Sequence, residues 1–79
     1  MTTHLAAYFH DRRNERGLTL AQLAMIVGYR NIRKGANKIA RFERQGRVTE
    51  ELLAMLAEAL EIDFPTVEAL VQKGANHVR

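Results

Sequence analysis

The sequence predicts an all-α fold of five short helices, and three observations carry that expectation. Apolar residues recur at helical spacing along the chain, and no segment alternates with period two over a useful length. Glycine, Thr, Asn or Asp stands at the segment borders, where helices start and stop.

The first helix is expected to start after Thr3 as N-cap and to end at Gly17. Leu5, Tyr8 and Phe9 make its buried stripe, with His4, Asp11 and Arg12 nearer solvent. In the second, Thr19 is the N-cap, Gln22 is its capping-box partner three residues on, and Leu18 can staple to Leu23. That helix runs to Val27 and stops at Gly28. From Tyr29 to Lys38 the pattern is weak, because Asn31, Gly35 and Asn37 can each end or start a helix. A third helix fits from about Ala36 to Gln45, with Ile39 and Phe42 on one face and Lys38, Arg41 and Arg44 on the other; Gly46 closes it. Thr49 caps a fourth helix reaching about Glu61, with Val48 and Leu53 as staple and Leu52, Leu56 and Leu60 directed inward. Asp63 can cap a fifth, which Gly74 ends. Pro65 is acceptable in its first turn, where the missing N–H has no helical partner. Residues 75–79 are expected to fray.

A chain of 79 residues suits one domain, residues 1–79, whose folding hides roughly 60 % of the surface the open chain exposes. With no cysteine, neither a disulfide nor a thiolate metal site supplements the core, and a cytoplasmic address is the default. No apolar run is long enough for a membrane span, and no charged-then-apolar leader opens the chain.

The formal net charge is +3, but it is unevenly distributed. Residues 1–27 carry +1. Residues 28–47 hold Arg30, Arg33, Lys34, Lys38, Arg41, Arg44 and Arg47 against Glu43 alone, or +6, and residues 48–79 carry −4. A basic middle beside an acidic end describes a molecule with one face for a polyanion and another for something else.

The stretch Thr19-Leu-Ala-Gln-Leu-Ala-Met-Ile-Val-Gly28 resembles the first helix of a helix-turn-helix. Ala24 stands four before Gly28, small enough to let two helices cross closely, and the glycine supplies the positive φ that turns the chain. Ile39-Ala-Arg-Phe-Glu-Arg-Gln-Gly46 resembles the end of the second helix in the Cro and phage-repressor-like family, the XRE type. Glu51 to Ile62 is similar to that family's fourth helix. The resemblance implies a compact five-helix lambda-repressor-like domain over roughly residues 5 to 72.

Two departures stand out. Gly28 to Ile39 is eleven residues, five more than the family's spacing, and Gln45 adds one residue between Glu43 and Gly46. Either the turn is a longer loop or the recognition helix begins earlier with Gly35 inside it; the longer loop is the preferred reading.

What the resemblance implies about function is specific binding to duplex DNA, with a recognition helix in the major groove. By position, Asn37, Lys38 and Arg41 are expected to read base edges, the alternative being that they meet only phosphates. Asn matches adenine and Arg matches guanine with two hydrogen bonds each. Arg44, one turn on, reaches a phosphate or a base, while Arg30, Arg33 and Lys34 in the inserted segment are expected to clamp the backbone in preference to entering a minor groove. Gln22 and the first-turn N–H groups of the second helix face a phosphate, alongside simple capping. Glu43 is read as one half of a structural salt bridge to a basic group within the domain. Tyr29 is read as packing at the turn in preference to stacking on a base.

Catalysis finds no support: His4 and His10 lie on different helix faces, His77 lies in the tail, and no phosphate loop or nucleophile setting occurs. No cofactor or metal is expected. The expected role is a small transcriptional regulator, a repressor acting by occlusion. It is expected to act as a homodimer through the C-terminal helices, where Phe64, Val67, Leu70 and Val71 form a second apolar row; the alternative is that this row completes the monomer core and pairing occurs only on DNA. The competing reading is an antitoxin or phage-type adaptor that holds a protein partner on its acidic helices. An RNA binder is disfavoured for want of stacking platforms.

Overall fold

Side-chain caps set where the helices begin. The computed structural model describes residues 3–74 and places five helices: α1 (His4–Glu15), α2 (Leu20–Val27), α3 (Ile32–Gln45), α4 (Glu50–Ala59) and α5 (Phe64–Gly74). The hydroxyls of Thr3, Thr19 and Thr49 accept from the backbone N–H of Ala6, Gln22 and Leu52, each at 3.1 Å. Gln22 Oε1 in turn accepts from Thr19 N–H at 2.8 Å, completing the capping box. Asp63 Oδ1 accepts from Thr66 N–H at 3.3 Å at the head of α5. Among the described residues there is no strand, and no helix is long and apolar enough to cross a membrane. The expected fraying of residues 75–79 lies outside the described residues.

These ends let the apolar stripes meet. α1 packs on α3 and α5, and α2 packs on α3 and α4. The shared core holds Leu5, Ala6 and Phe9 from α1, Leu23 and Ala24 from α2, Ile39 and Phe42 from α3, and Leu52, Leu53 and Leu56 from α4. Val48, Leu60, Ile62 and Val67 close it. Phe9 and Phe42 meet edge to face at 5.5 Å between ring centroids, the contact that joins α1 to α3 at the centre. Tyr8, expected to be buried, is only partly so, and Ala6 takes its place in the stripe.

The turn between α2 and α3 departs from the preferred expectation. Gly28 caps α2 at φ 103°, in the left-handed region, as the Ala24 and Gly28 spacing requires. The long loop does not follow. Asn31 is the N-cap of α3, its Oδ1 accepting from Lys34 N–H at 3.1 Å, and the helix runs unbroken from Ile32 to Gln45 with Gly35 inside it. The five extra residues therefore lengthen the helix, not the turn. Arg33 and Lys34 stand in its first turn, and only Arg30 of the three basic groups assigned to a loop lies on the turn itself.

The reason is tertiary. Gly35 is buried beneath the ring of Tyr29, and a Cβ built at Gly35 would lie 2.5 Å from Tyr29 Cγ and Cδ2. A glycine costs an isolated helix about 1 kcal/mol, but here its missing side chain is the space the tyrosine fills. Tyr29 thus packs at the turn, partly buried against the core.

Gly35→Ala should lower stability by about 1–3 kcal/mol in urea denaturation, despite the better helix propensity of alanine. Adding Tyr29→Ala to it should recover part of that loss. A Gly35→Ala variant as stable as the parent would mean that the tyrosine ring does not require the glycine.

Candidate nucleic-acid interface

α3 is the most strongly amphipathic of the five helices, and its two faces have different tasks. Gly35, Ile39, Phe42 and Glu43 are buried. Arg33, Lys34, Asn37, Lys38, Arg41 and Arg44 are all exposed. At 3.6 residues per turn these six fall within an arc of roughly 140°. Asn37 and Arg41 are central in that arc, Arg33 and Arg44 form one edge, and Lys34 and Lys38 form the other. Six sequence-predicted site residues therefore share one helix face. Arg30 is exposed at the turn, and Gln22 is exposed in the first turn of α2. Gln22 Oε1 is engaged by the capping box, so its amide nitrogen is the atom left to meet an outside acceptor.

Lys38 is held at its edge: its Nζ lies 6.0 Å from the centroid of the Tyr29 ring, within cation–π range. The ring that fills the space over Gly35 thus also orients a lysine of the exposed face.

Behind the basic face lies a buried charge cluster. Arg13 Nε donates to Glu43 Oε2 at 2.7 Å and Arg13 Nη2 donates to Glu43 Oε1 at 2.9 Å, a two-pronged pair. Arg13 Nη1 also donates to the carbonyl of Leu18 at 2.7 Å, tying the end of α1 to the start of α2. His10 Nδ1 lies 2.7 Å from Glu43 Oε1, and its Nε2 lies 3.0 Å from Asn14 Nδ2. Glu43 on α3 is thus a structural partner, as the resemblance implied. Its partners were not foreseen. The available signal was Arg13 itself, which continues the buried spacing of Leu5 and Phe9 by four and so puts a cation where an apolar residue is due.

Burial pushes the Glu43 carboxyl up, but the hydrogen bonds from Arg13 and His10 and their charges outweigh it and hold it below the ordinary value. The Arg13 guanidinium is raised, chiefly by its hydrogen bond to Glu43 and against the opposing effect of burial.

The acidic end is separate. An apolar groove between α4 and α5 is lined by Leu53, Ala57, Ile62, Phe64, Val67 and Val71 and rimmed by Glu50, Glu58 and Glu68. Of the four residues expected to form a dimer surface, Val67 belongs to the core and Leu70 and Val71 pack half-buried against it. Phe64 remains 73 % exposed. Among the described residues no group of three His, Asp or Glu is placed to hold a metal ion.

Comparison of this chain with family models, with curated proteins and with solved structures gave no match. The residues and their geometry therefore carry the functional reading.

A depressed carboxylate contributes stability that is complete above its unfolded value, near 4.5, and is lost as pH falls through the lower folded value. Urea denaturation should accordingly find the parent losing stability below about pH 4.5. Glu43→Ala should cost about 3 kcal/mol or more at pH 7 by stranding the Arg13 charge, and the cost should shrink in acid. An equal cost at pH 7 and pH 3 would remove the ion pair from the account.

Proposed function

We propose that the protein binds duplex DNA sequence-specifically as a small transcriptional regulator of the XRE helix-turn-helix type, a repressor acting by occlusion. The single observation that carries this reading is the exposed face of α3. Five cations and one asparagine share an arc with no carboxylate among them, on a helix whose other face is locked into the core. The alternative for such a face is a solvated helix kept for solubility. Two features favour a polyanion. Arg33 and Lys34 occupy the first turn of α3, where the helix dipole disfavours cations, and no acid offsets them. α4, by contrast, carries Glu50 and Glu51 in its first turn, the arrangement that favours a helix standing alone.

In this reading Asn37 and Arg41, central in the arc, meet base edges, and Arg33, Lys34, Lys38 and Arg44 at its borders meet phosphates or flanking bases. Arg30 at the turn and Gln22 at the head of α2 meet the backbone. The earlier start of α3 moves Arg33 and Lys34 to the first turn, the part that enters the groove in a helix-turn-helix. A single short helix covers few base pairs, so two copies on half-sites about one turn apart complete the proposal, joined through the C-terminal helices with Phe64 at the centre of the contact.

A second reading is an antitoxin-like or phage-type interaction module. The acid-rimmed apolar groove between α4 and α5 favours it, because such a groove suits a protein segment. Competition among duplex DNA, RNA and single strands separates the readings, since an interaction module has no preference for the duplex.

Log affinity for duplex DNA should fall steeply with log salt, by about 0.9 for each phosphate contacted. Flat binding between low and moderate salt would count decisively against the DNA reading. Arg41→Ala should cost about 1–3 kcal/mol and relax preference at one base position, whereas Arg33→Ala should weaken all sequences alike. Equal, sequence-blind losses for both would reduce Arg41 to a phosphate contact.

Sedimentation at micromolar concentration should find a dimer that Phe64→Ser dissociates. A monomer that still binds paired half-sites would leave the regulator and remove the preformed dimer.

A further inference from the structure

Beside the recognition face lies a second groove, between α3, the α3–α4 connection and α4. Its volume is about 640 Å³, within the range of roughly 300–1,000 Å³ usual for small-molecule sites. Its composition is divided. The floor is apolar, made by Val48, Leu52 and Met55; one wall is the Tyr29 ring; and Lys38, Arg41 and Arg47 stand around it against one carboxylate, Glu51. Met55 is 40 % exposed, a large apolar side chain that the core does not take up. We propose that this groove binds an organic anion with a flat apolar body, its ring on Met55 and Val48 beside Tyr29 and its charged group among Lys38, Arg41 and Arg47.

Three arguments point to that class of ligand. The net charge of the four ionic groups around the groove is +2, three cations against one carboxylate, so an anion is drawn in and a cation of the same shape is repelled. The exposed Met55 side chain gains from contact with a ring, which an inorganic ion does not supply. The Tyr29 ring is already fixed over Gly35, so a flat ligand meets a preorganised wall and pays little ordering cost.

The site also has a consequence for the proposed function. Lys38 and Arg41 belong both to the groove and to the exposed face of α3. An anion held there withdraws two of the groups assigned to DNA, so ligand and duplex compete. That consequence rests on the DNA reading, whereas the ligand site itself does not.

The test uses the full chain and naphthalene-2-sulfonate, with naphthalen-2-ylmethylammonium as a cation of similar ring and size. Amide NMR shifts should saturate with naphthalene-2-sulfonate at a Kd of about 1 mM or below, largest at Tyr29, Arg47–Leu52 and Met55. The cation should bind at least about tenfold more weakly, a preference of the kind that two net charges at close range support. Met55→Ser and Arg47→Gln should each weaken the sulfonate severalfold while the amide spectrum of the free protein stays folded. Equal binding of anion and cation, shifts scattered over the whole molecule, or no saturation would overturn the site. In a second arm, naphthalene-2-sulfonate should lower the fluorescence anisotropy of labelled duplex DNA bound to the parent, and do so less with Met55→Ser. Sulfonate binding with undiminished DNA affinity would overturn the competition. Absence of any DNA binding would overturn the DNA reading and leave the ligand site to be judged by the NMR arm.

Discussion

The arrangement of this molecule depends on one buried ion pair, Arg13 with Glu43. Removing two charges from water costs several kcal/mol for each ion, and the cost is recovered only at good geometry. Here the guanidinium meets both carboxylate oxygens and spends its remaining nitrogen on the carbonyl of Leu18. Any sliding or rotation of α1 against α3 would leave two unpaired charges inside, so the pair fixes the register of these helices more sharply than the Phe9 and Phe42 contact could. It also fixes the start of α2 through Leu18.

With its inner face fixed in this way, α3 carries an outer face crowded with cations. A cluster of like charges on one side of a helix lowers stability through mutual repulsion, and cations in the first turn oppose the dipole. The domain bears both costs on α3, whereas the first-turn acids of α4 agree with its dipole. A small domain has a margin of only a few kcal/mol. It tolerates such a face where the opposite side is held by an ion pair, an aromatic contact and the Tyr29–Gly35 fit together.

That last fit links the turn to the surface. Tyr29 fills the space over Gly35, packs against the core, and lies under Lys38, so one side chain sets the helix entry, the closeness of the turn and the position of a surface cation. The two grooves on either side of α4 differ in charge for a related reason. One is bounded by the basic helix, and the other by α5 and the acidic edge of α4.

By itself the sequence determined the helix count, the caps at Thr3, Thr19, Thr49 and Asp63, the turn at Gly28, and the core residues at helical spacing. These follow from hydrogen bonds and periodicities that span only a few residues. It also marked the basic set Arg33, Lys34, Asn37, Lys38, Arg41 and Arg44, and the structural use of Glu43. Tertiary structure decided which start α3 takes, because Asn31, Gly35 and Asn37 taken locally can each end or start a helix, and only the Tyr29 ring lying over Gly35 turns the glycine from a break into a fit. It alone decided that Arg13 and His10 partner Glu43, since 30 and 33 residues of chain separate them. It likewise spent Val67, Leu70 and Val71 on the core and left Phe64 outside it, a division that an apolar row on one helix cannot express because it depends on which neighbouring helix arrives to cover it.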